Sequence, residues 1–391
     1  MTKSEQTEKK LFLAFTGILL AVGALMVFSS SMTSIAVDSG EIYFRKHVIF
    51  LIISLCAGFF ASVVPHRFWM KFAPFVFAVT VLLLIAVLIP GVGHRVNGAQ
   101  RWLRFGQISF QPSETAKLTV PLMVCWIRCN QDGSLKASTF FEVVKIATVV
   151  LIPLGLILVE PDLGTALFVA TVATISMFLS GVPLRYFITA GVAAIPAIVG
   201  LVALKPYQLA RIQGFIQTWT NPEEAPYQVR QSLTTLGVGG IEGTGLGRGW
   251  QKLSFLPEAN TDFIFAVIGE ELGLLGTIGV VSLWLGLYFS GLRLIQNARS
   301  SFESILVTTL LTQLLFQAAL NVAVVTAMVP PKGISHPLIS YGGSNLVTSL
   351  IAIGMIISLT KEPNKHEVES TIVHDFEDIP VEPDILSAIS S

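Results

Sequence analysis

Residues 260–292 read NTDFIFAVIGEELGLLGTIGVVSLWLGLYFSGL. From Phe263 to Leu292 the run is apolar apart from Glu270 and Glu271, and it lacks the period-two alternation of a lipid-facing strand. A helix of this length is about 45 Å long, enough to cross a hydrocarbon core of about 30 Å. A membrane helix has no packing reason to begin on a charge, yet Asp262 stands at its entrance. On a continuous helix Glu270 would lie about 12 Å deeper than Asp262, which leaves Asp262 at the water-facing mouth.

Working outward, nine more apolar segments occur at roughly 11–37, 47–64, 72–90, 114–128, 143–159, 163–180, 187–204, 303–329 and 340–360. The sequence therefore predicts an all-α polytopic membrane protein of about ten transmembrane helices. Composition agrees: 52% of the 391 residues are hydrophobic and only 13% are charged, about half the charged share of a soluble domain. The first apolar run lacks a cleavage site after a short hydrophobic region, so it reads as a span and not as a signal peptide. Cys56, Cys125 and Cys129 lie in or beside apolar runs, and no disulfide framework or zinc site is expected of them.

An even number of spans puts both termini on one side, taken as cytoplasmic from the sparse cations of the short outer links. Residues 1–10 read as a cytoplasmic segment, 11–360 as the membrane domain with long outer loops at 91–113 and 205–262, and 361–391 as a disordered acidic cytoplasmic tail. Of the 25 bases and 25 acids, the tail holds two bases and eight acids, leaving 23 bases and 17 acids in the body. Nine cations lie in or beside the two long outer loops, which suits an anionic ligand on that face and no nucleic acid.

Five constellations bear chemistry. Arg101, Trp102 and Arg104 suit a segment lying on the bilayer surface. Beyond it Ser113 is placed to cap the fourth span, and Glu114 can pair with Lys117. Glu160-Pro161-Asp162 puts two acids in a short link, where the simplest reading is a helix cap. Gly237 to Gly249 has glycine at seven of 13 positions; its backbone could approach a phosphate, with Arg248 and Lys252 adding charge. Glu270 and Glu271 are expected to meet a cation from another span, whereas Asp262, near water, could accept a proton from a sugar hydroxyl. Pro330 to Asn345 is a polar, turn-rich entrance to the last span, with Lys332 its one cation.

In this order, Tyr43-Phe44-Arg45, VNGAQRW (96–102), FQPSETAK (110–117), EPDLGTA (160–166), the glycine loop, LPEANTDFIFAVIGEELG (256–273), PPKG (330–333) and SYGGS (340–344) resemble the SEDS family of bacterial cell-wall proteins. This is the FtsW/RodA/SpoVE group, and the likeness is greatest to its division-type FtsW branch. It covers nearly all of the chain outside the tail. Asn260, Gly249 and the PPKGISHP link depart from the family's usual residues.

The resemblance implies a glycosyltransferase of the bacterial cytoplasmic (inner) membrane that polymerises lipid II into peptidoglycan strands on the outer face. It implies Asp262 as catalytic base and puts Arg45, Arg101, Trp102, Glu114, Lys117, Arg248, Lys252 and Lys332 toward substrate. A divalent cation (Mg2+ or Mn2+) would help the diphosphate leave, although its ligands are unknown from the sequence. A class B penicillin-binding transpeptidase is the implied partner, with other divisome or elongasome membrane proteins. Two alternatives stand beside this reading: a lipid II flippase or transporter, and a non-catalytic scaffold that activates the transpeptidase.

Overall fold

A computed structural model describes residues 3–31, 37–96, 98–106, 108–203, 206–253 and 255–361. The tail reading concerns residues beyond Lys361 and lies outside the described residues, as does Asn97. All ten predicted apolar segments are helical: α1 (Lys3–Ser31), α2 (Val37–Val63), α3 (His66–Leu88), α4 (Pro112–Arg128), α5 (Phe140–Val159), α6 (Leu163–Leu179), α7 (Leu184–Ala203), α10 (Ile264–Leu294), α11 (Ser301–Val325) and α12 (Gly343–Leu359). Two unpredicted helices, α8 (Pro206–Thr220) and α9 (Tyr227–Gly239), occupy the second long loop. Among the described residues, α1, α2, α3, α5, α10 and α11 contain stretches long and apolar enough to cross a membrane, and α6, α12 and part of α7 are shorter apolar helices.

Local chemistry sets several helix ends. Thr139 and Glu142 form a reciprocal capping box on α5. Asp162 caps α6 by accepting from the Thr165 amide at 3.0 Å. The expected Ser113 cap on α4 is not used: Pro112 occupies the first turn, and Ser113 Oγ instead accepts from Gln111 Nε2 at 3.0 Å. α4 carries Glu114, Lys117 and Arg128, all buried, and packs against α3, α5, α6, α11 and α12. Its charges are tolerable because neighbouring helices, not lipid, surround it. α2 and α12 approach closely where Gly58 and Gly354 meet; a Cβ on Gly354 would strike Gly58 O.

The surface segment expected around Arg101 is a three-stranded antiparallel sheet, β1 (Gly93–Val96), β2 (Ala99–Phe105) and β3 (Ile108–Phe110). The Asn97-Gly98 dipeptide is a strong hairpin signal, and Gly98 has φ 80°. Because β2 packs on α3 and α4, and β3 on α12, the sheet joins the membrane body instead of floating on it.

The largest departure is in α10. Gly273 has φ 66° and ψ −163°, a conformation almost restricted to glycine, and the helix reverses there. A Cβ on Gly269 would lie 3.5 Å from Thr277 Cγ2, across the bend. Phe265 and Trp284 both lie against His336, with ring centroids at 6.2 and 5.7 Å, which places the two rings within about 12 Å of each other. On a straight helix they would be about 28 Å apart. The arm 264–272 therefore runs antiparallel to 274–294. Glu271 meets Ser29 at the end of α1, so Asp262, at the far end of the arm, is sunk about 12 Å below that level. The expected order of depth is reversed: Asp262 is the deep residue and Glu270 the shallow one.

Helix ends sort onto two faces. One holds Glu8 with Arg293 at 2.8 Å, Arg299 with the Lys361 carbonyl, and Arg128 with Glu142 at 2.8 Å. The other, the site face, holds the sheet, the 160–162 link, Asp262 and the 330–342 link. α4, α6 and α12 have 17 residues each, about 25 Å, against 27 and 29 for α2 and α1. Gly343, the first residue of α12, packs on Phe50, about halfway along α2. Short helices beside long ones leave a depression into which the links descend.

Candidate active site at the sunken carboxylate

Asp262 is half-buried in the depression, facing the exposed Gly333. A Cβ on Gly333 would lie 3.1 Å from Asp262 Oδ2, so only a bare backbone gives the carboxylate this room. Burial, then the charge of Glu258, raise the Asp262 pKa to about 7; Arg211 opposes them, and Asp162 adds a smaller upward push. A carboxyl with this pKa is poised to take a proton near neutrality.

The flank of the site is basic. Arg101 reaches from β2 to the 160–162 link, donating to the Glu160 carbonyl at 3.3 Å and the Pro161 carbonyl at 2.6 Å, with its guanidinium 3.5 Å from Asp162. The Lys332 stem lies along α6, where a Cβ on Gly164 would be 3.8 Å from it. Burial lowers the Lys332 pKa, and the Asp162 charge opposes this. Beside them Glu160 is fully buried with neither carboxyl oxygen hydrogen-bonded, and burial raises its pKa to about 8, so it is largely protonated at neutrality. Asp162, read from sequence as a simple cap, therefore has a second role, tying Arg101 and supporting Lys332.

Glu114 and Lys117 form a buried pair at 2.6 Å, as expected. Lys117 also lies 5.0 Å from the centre of the Phe168 ring and 3.4 Å from Gln317 Oε1. Gln317 Nε2 donates onward to the Ser335 carbonyl at 3.0 Å and Asn345 Oδ1 at 2.9 Å. One turn along α11, Asn321 Nδ2 donates to the carbonyls of Asp262 at 2.7 Å and Ile334 at 2.8 Å. The sequence reading missed Gln317 and Asn321. Their signal is the four-residue spacing of amides within an apolar span, which puts both on one helix face.

The glycine loop is not arranged around an open anion site. Backbone N–H groups in it and just after it are taken by the α10 arm. Thr244 N and Gly245 N donate to the carbonyls of Glu270 and Glu271 at 2.8 and 3.0 Å. The Glu271 carboxylate accepts from Gly247 N at 3.1 Å, and the Glu270 carboxylate accepts from Trp250 N at 2.7 Å and Gln251 N at 3.0 Å. Lys252 is wholly buried, paired with Glu271 and donating to Ser29 Oγ at 2.8 Å. Its ammonium faces away from solvent, so burial fits it to fastening the loop and not to contacting substrate. Glu271 does meet a cation, but it comes from Lys252, 19 residues upstream and not on another span, whereas Glu270 meets backbone amides and, among the described residues, no cation. Arg248 is exposed on this loop, Arg45 is exposed on α2 and Trp102 is half-buried in the sheet. Arg211, on the unpredicted α8, was outside the expected site set, although its charge acts on Asp262.

Among the described residues, no three His, Cys, Asp or Glu side chains converge as a metal site. Asp162 is engaged by Thr165 and Arg101. A cluster of three such ligands is therefore not what would hold the divalent cation expected from the sequence.

Fold and site together define a polytopic membrane protein that presents a sunken, cation-flanked carboxylate on one face. The chain belongs to the FtsW/RodA/SpoVE family of cell cycle proteins, which it matches over residues 9–365. A protein of Coxiella burnetii named "Probable peptidoglycan glycosyltransferase FtsW" is 38% identical over 350 residues, covering 88% of this chain and 94% of that one. The protein of that name from Geobacter sp. (strain M18) is 36% identical over 347 residues, with the same coverage. Stage V sporulation protein E of Bacillus subtilis is 32% identical over 365 residues, covering 92% and 99%. Among solved structures, a chain from a peptidoglycan synthase complex that coordinates polymerisation and crosslinking shares the fold, with a TM-score of 0.72, 24% identity and coverage of 89% and 96%. The rod shape determining protein RodA of Thermus thermophilus aligns with a TM-score of 0.64 and 25% identity, covering 89% and 95%.

Proposed function

We propose that this chain is a peptidoglycan glycosyltransferase that polymerises lipid II, with Asp262 as general base. The carrying observation is the carboxylate itself, its pKa raised to about 7, open toward Gly333 and flanked by Arg211, Arg101 and Lys332. The ionised Asp262 takes the proton from the 4-hydroxyl of the acceptor GlcNAc. The freed oxygen bonds to C1 of the donor MurNAc, and the C1–O bond to diphosphate breaks. The electron pair leaves with undecaprenyl diphosphate, whose growing charge the cations stabilise. Asp262 then returns its proton to water.

The site face is then the outer face of the bacterial cytoplasmic membrane, with both termini cytoplasmic. A class B penicillin-binding transpeptidase is the proposed partner, and cell division the setting, given the likeness to FtsW-named relatives. A divalent cation, Mg2+ or Mn2+, would enter with the diphosphate, since Mg2+ is commonly held by one or two carboxylates plus substrate phosphates. The transporter alternative gains nothing from Glu271, which Lys252 pairs, and Glu270 is held through Oε1 by the amides of Trp250 and Gln251.

Purified protein with its transpeptidase partner is expected to convert lipid II into glycan, and Asp262→Asn to abolish this. Normal glycan synthesis by folded Asp262→Asn protein refutes the base assignment. Lipid II flipping by reconstituted protein with no polymer formed refutes the enzyme.

A further inference from the structure

Three consecutive carbonyls at Asn260, Thr261 and Asp262 each accept a hydrogen bond from one side of the depression. Tyr341 N donates to Asn260 O at 2.9 Å, Ser340 Oγ to Thr261 O at 2.6 Å, and Asn321 Nδ2 to Asp262 O at 2.7 Å. Residues 255–263 form turns, with Glu258 at φ 55°, so no helix or strand ladder fixes this stretch from within. The second Asn321 hydrogen bond goes to Ile334 O, two residues from Lys332. One amide thus ties the backbone of the base to the link that carries the cation. Ser340 is occupied in both directions, because its oxygen also accepts from His336 N at 2.7 Å.

Asn321 and Ser340 are buried, 0% and 2% exposed, so neither can touch substrate. Asn321 Oδ1 is also buried and has no partner. An unpaired buried acceptor costs stability and calls for an explanation. Here the amide is short enough to sit between the two carbonyls and supplies two donors from one nitrogen, which no hydroxyl or apolar side chain does.

We infer that Asn321 and Ser340 are positioning residues for the transfer, holding the Asp262 backbone in fixed register with the Lys332 link. This rests on the glycosyltransferase reading above. Neither residue exchanges a proton with substrate; they act through where the carboxylate stands.

The test compares wild type, Ser340→Ala, Ser340→Thr and Asn321→Leu in lipid II polymerisation with the partner present, measuring kcat and KM across neutral pH. Ser340→Ala and Asn321→Leu are expected to lower kcat on the order of 10- to 100-fold, the scale of misplacing a catalytic group by about 1 Å, with KM nearly unchanged. The acid limb should also move to lower pH, because a released carboxylate reaches water more easily. Ser340→Thr, which keeps the hydroxyl, should restore both. Wild-type kcat in Ser340→Ala overturns the inference. So does a kcat loss that matches the lost folded fraction with the acid limb unmoved, since that midpoint is independent of how much protein is folded. If Asn321→Leu does not fold, the two Ser340 variants decide alone. The parent reading fails differently, through a wild type that makes no glycan or an active Asp262→Asn.

Discussion

Glu258→Gln removes the like charge that, after burial, does most to hold Asp262 protonated. Glu258 is exposed and linked to Thr261 Oγ1 at 2.9 Å, a contact that glutamine can keep, so the fold should tolerate the change. With the Asp262 pKa at about 7, roughly one-eleventh of the free protein carries the ionised base at pH 6. Removing the Glu258 charge moves the ionisation to lower pH and should raise kcat/KM at pH 6, with a ceiling of about elevenfold when the base is fully ionised. Near pH 8, where wild type is already mostly ionised, the two proteins should converge. Arg211→Gln should have the opposite sign, moving the acid limb to higher pH, because Arg211 favours the carboxylate. Asp162 and Lys332 stay in place in both variants and serve as a constant background. The assay is initial-rate lipid II polymerisation at sub-saturating substrate, so that kcat/KM reports the free protein. An unmoved limb in Glu258→Gln, or shifts of the same sign in both variants, refutes the reasoning.

Gly333→Ala should lower kcat on the order of tenfold while leaving thermal stability near wild type, since the new methyl meets Asp262 Oδ2 at the surface of the depression. Lys117→Met should destabilise by about 3–5 kcal/mol in denaturation of the detergent-solubilised protein, because it strands Glu114 in a buried site. Adding Glu114→Gln to Lys117→Met should recover part of that loss, as a double-mutant cycle would show. Gly273→Ala should sharply reduce the monodisperse yield: its φ of 66° disfavours any side chain, and a Cβ would strike Gly243 N and Ile241 O. Lys252→Met should speed protease cleavage within 241–249, because Glu271 loses the cation with which it fastens that loop.

Apolar segments declare themselves in the sequence because the transfer energy of a run of side chains is a local property, and all ten expected segments are helical. Asp262 also stood out locally, as a charge at the edge of such a run. Its depth did not. Glu270 and Glu271 interrupt the run from Phe263 to Leu292 just before Gly273, but two acids and a glycine permit a reversal without requiring one. Asn97-Gly98 is a hairpin dipeptide and a readable sign of the sheet, which the surface reading of Arg101, Trp102 and Arg104 did not use. The role of Lys252 could not be read, since nothing local separates a cation that meets a phosphate from one that meets Glu271.

By itself, then, the sequence determined which segments are buried in the membrane, which carboxylate is out of place there, and the family. Tertiary structure alone decided that the carboxylate lies at the bottom of a reversed arm, that Asn321 and Ser340 hold it, and that the glycine loop is sealed. Those outcomes depend on partners far apart in the chain: Ser29 with Glu271, Lys117 with Gln317, Thr261 with Ser340. Buried polar groups must find partners, but which ones they find is settled only when distant helices pack.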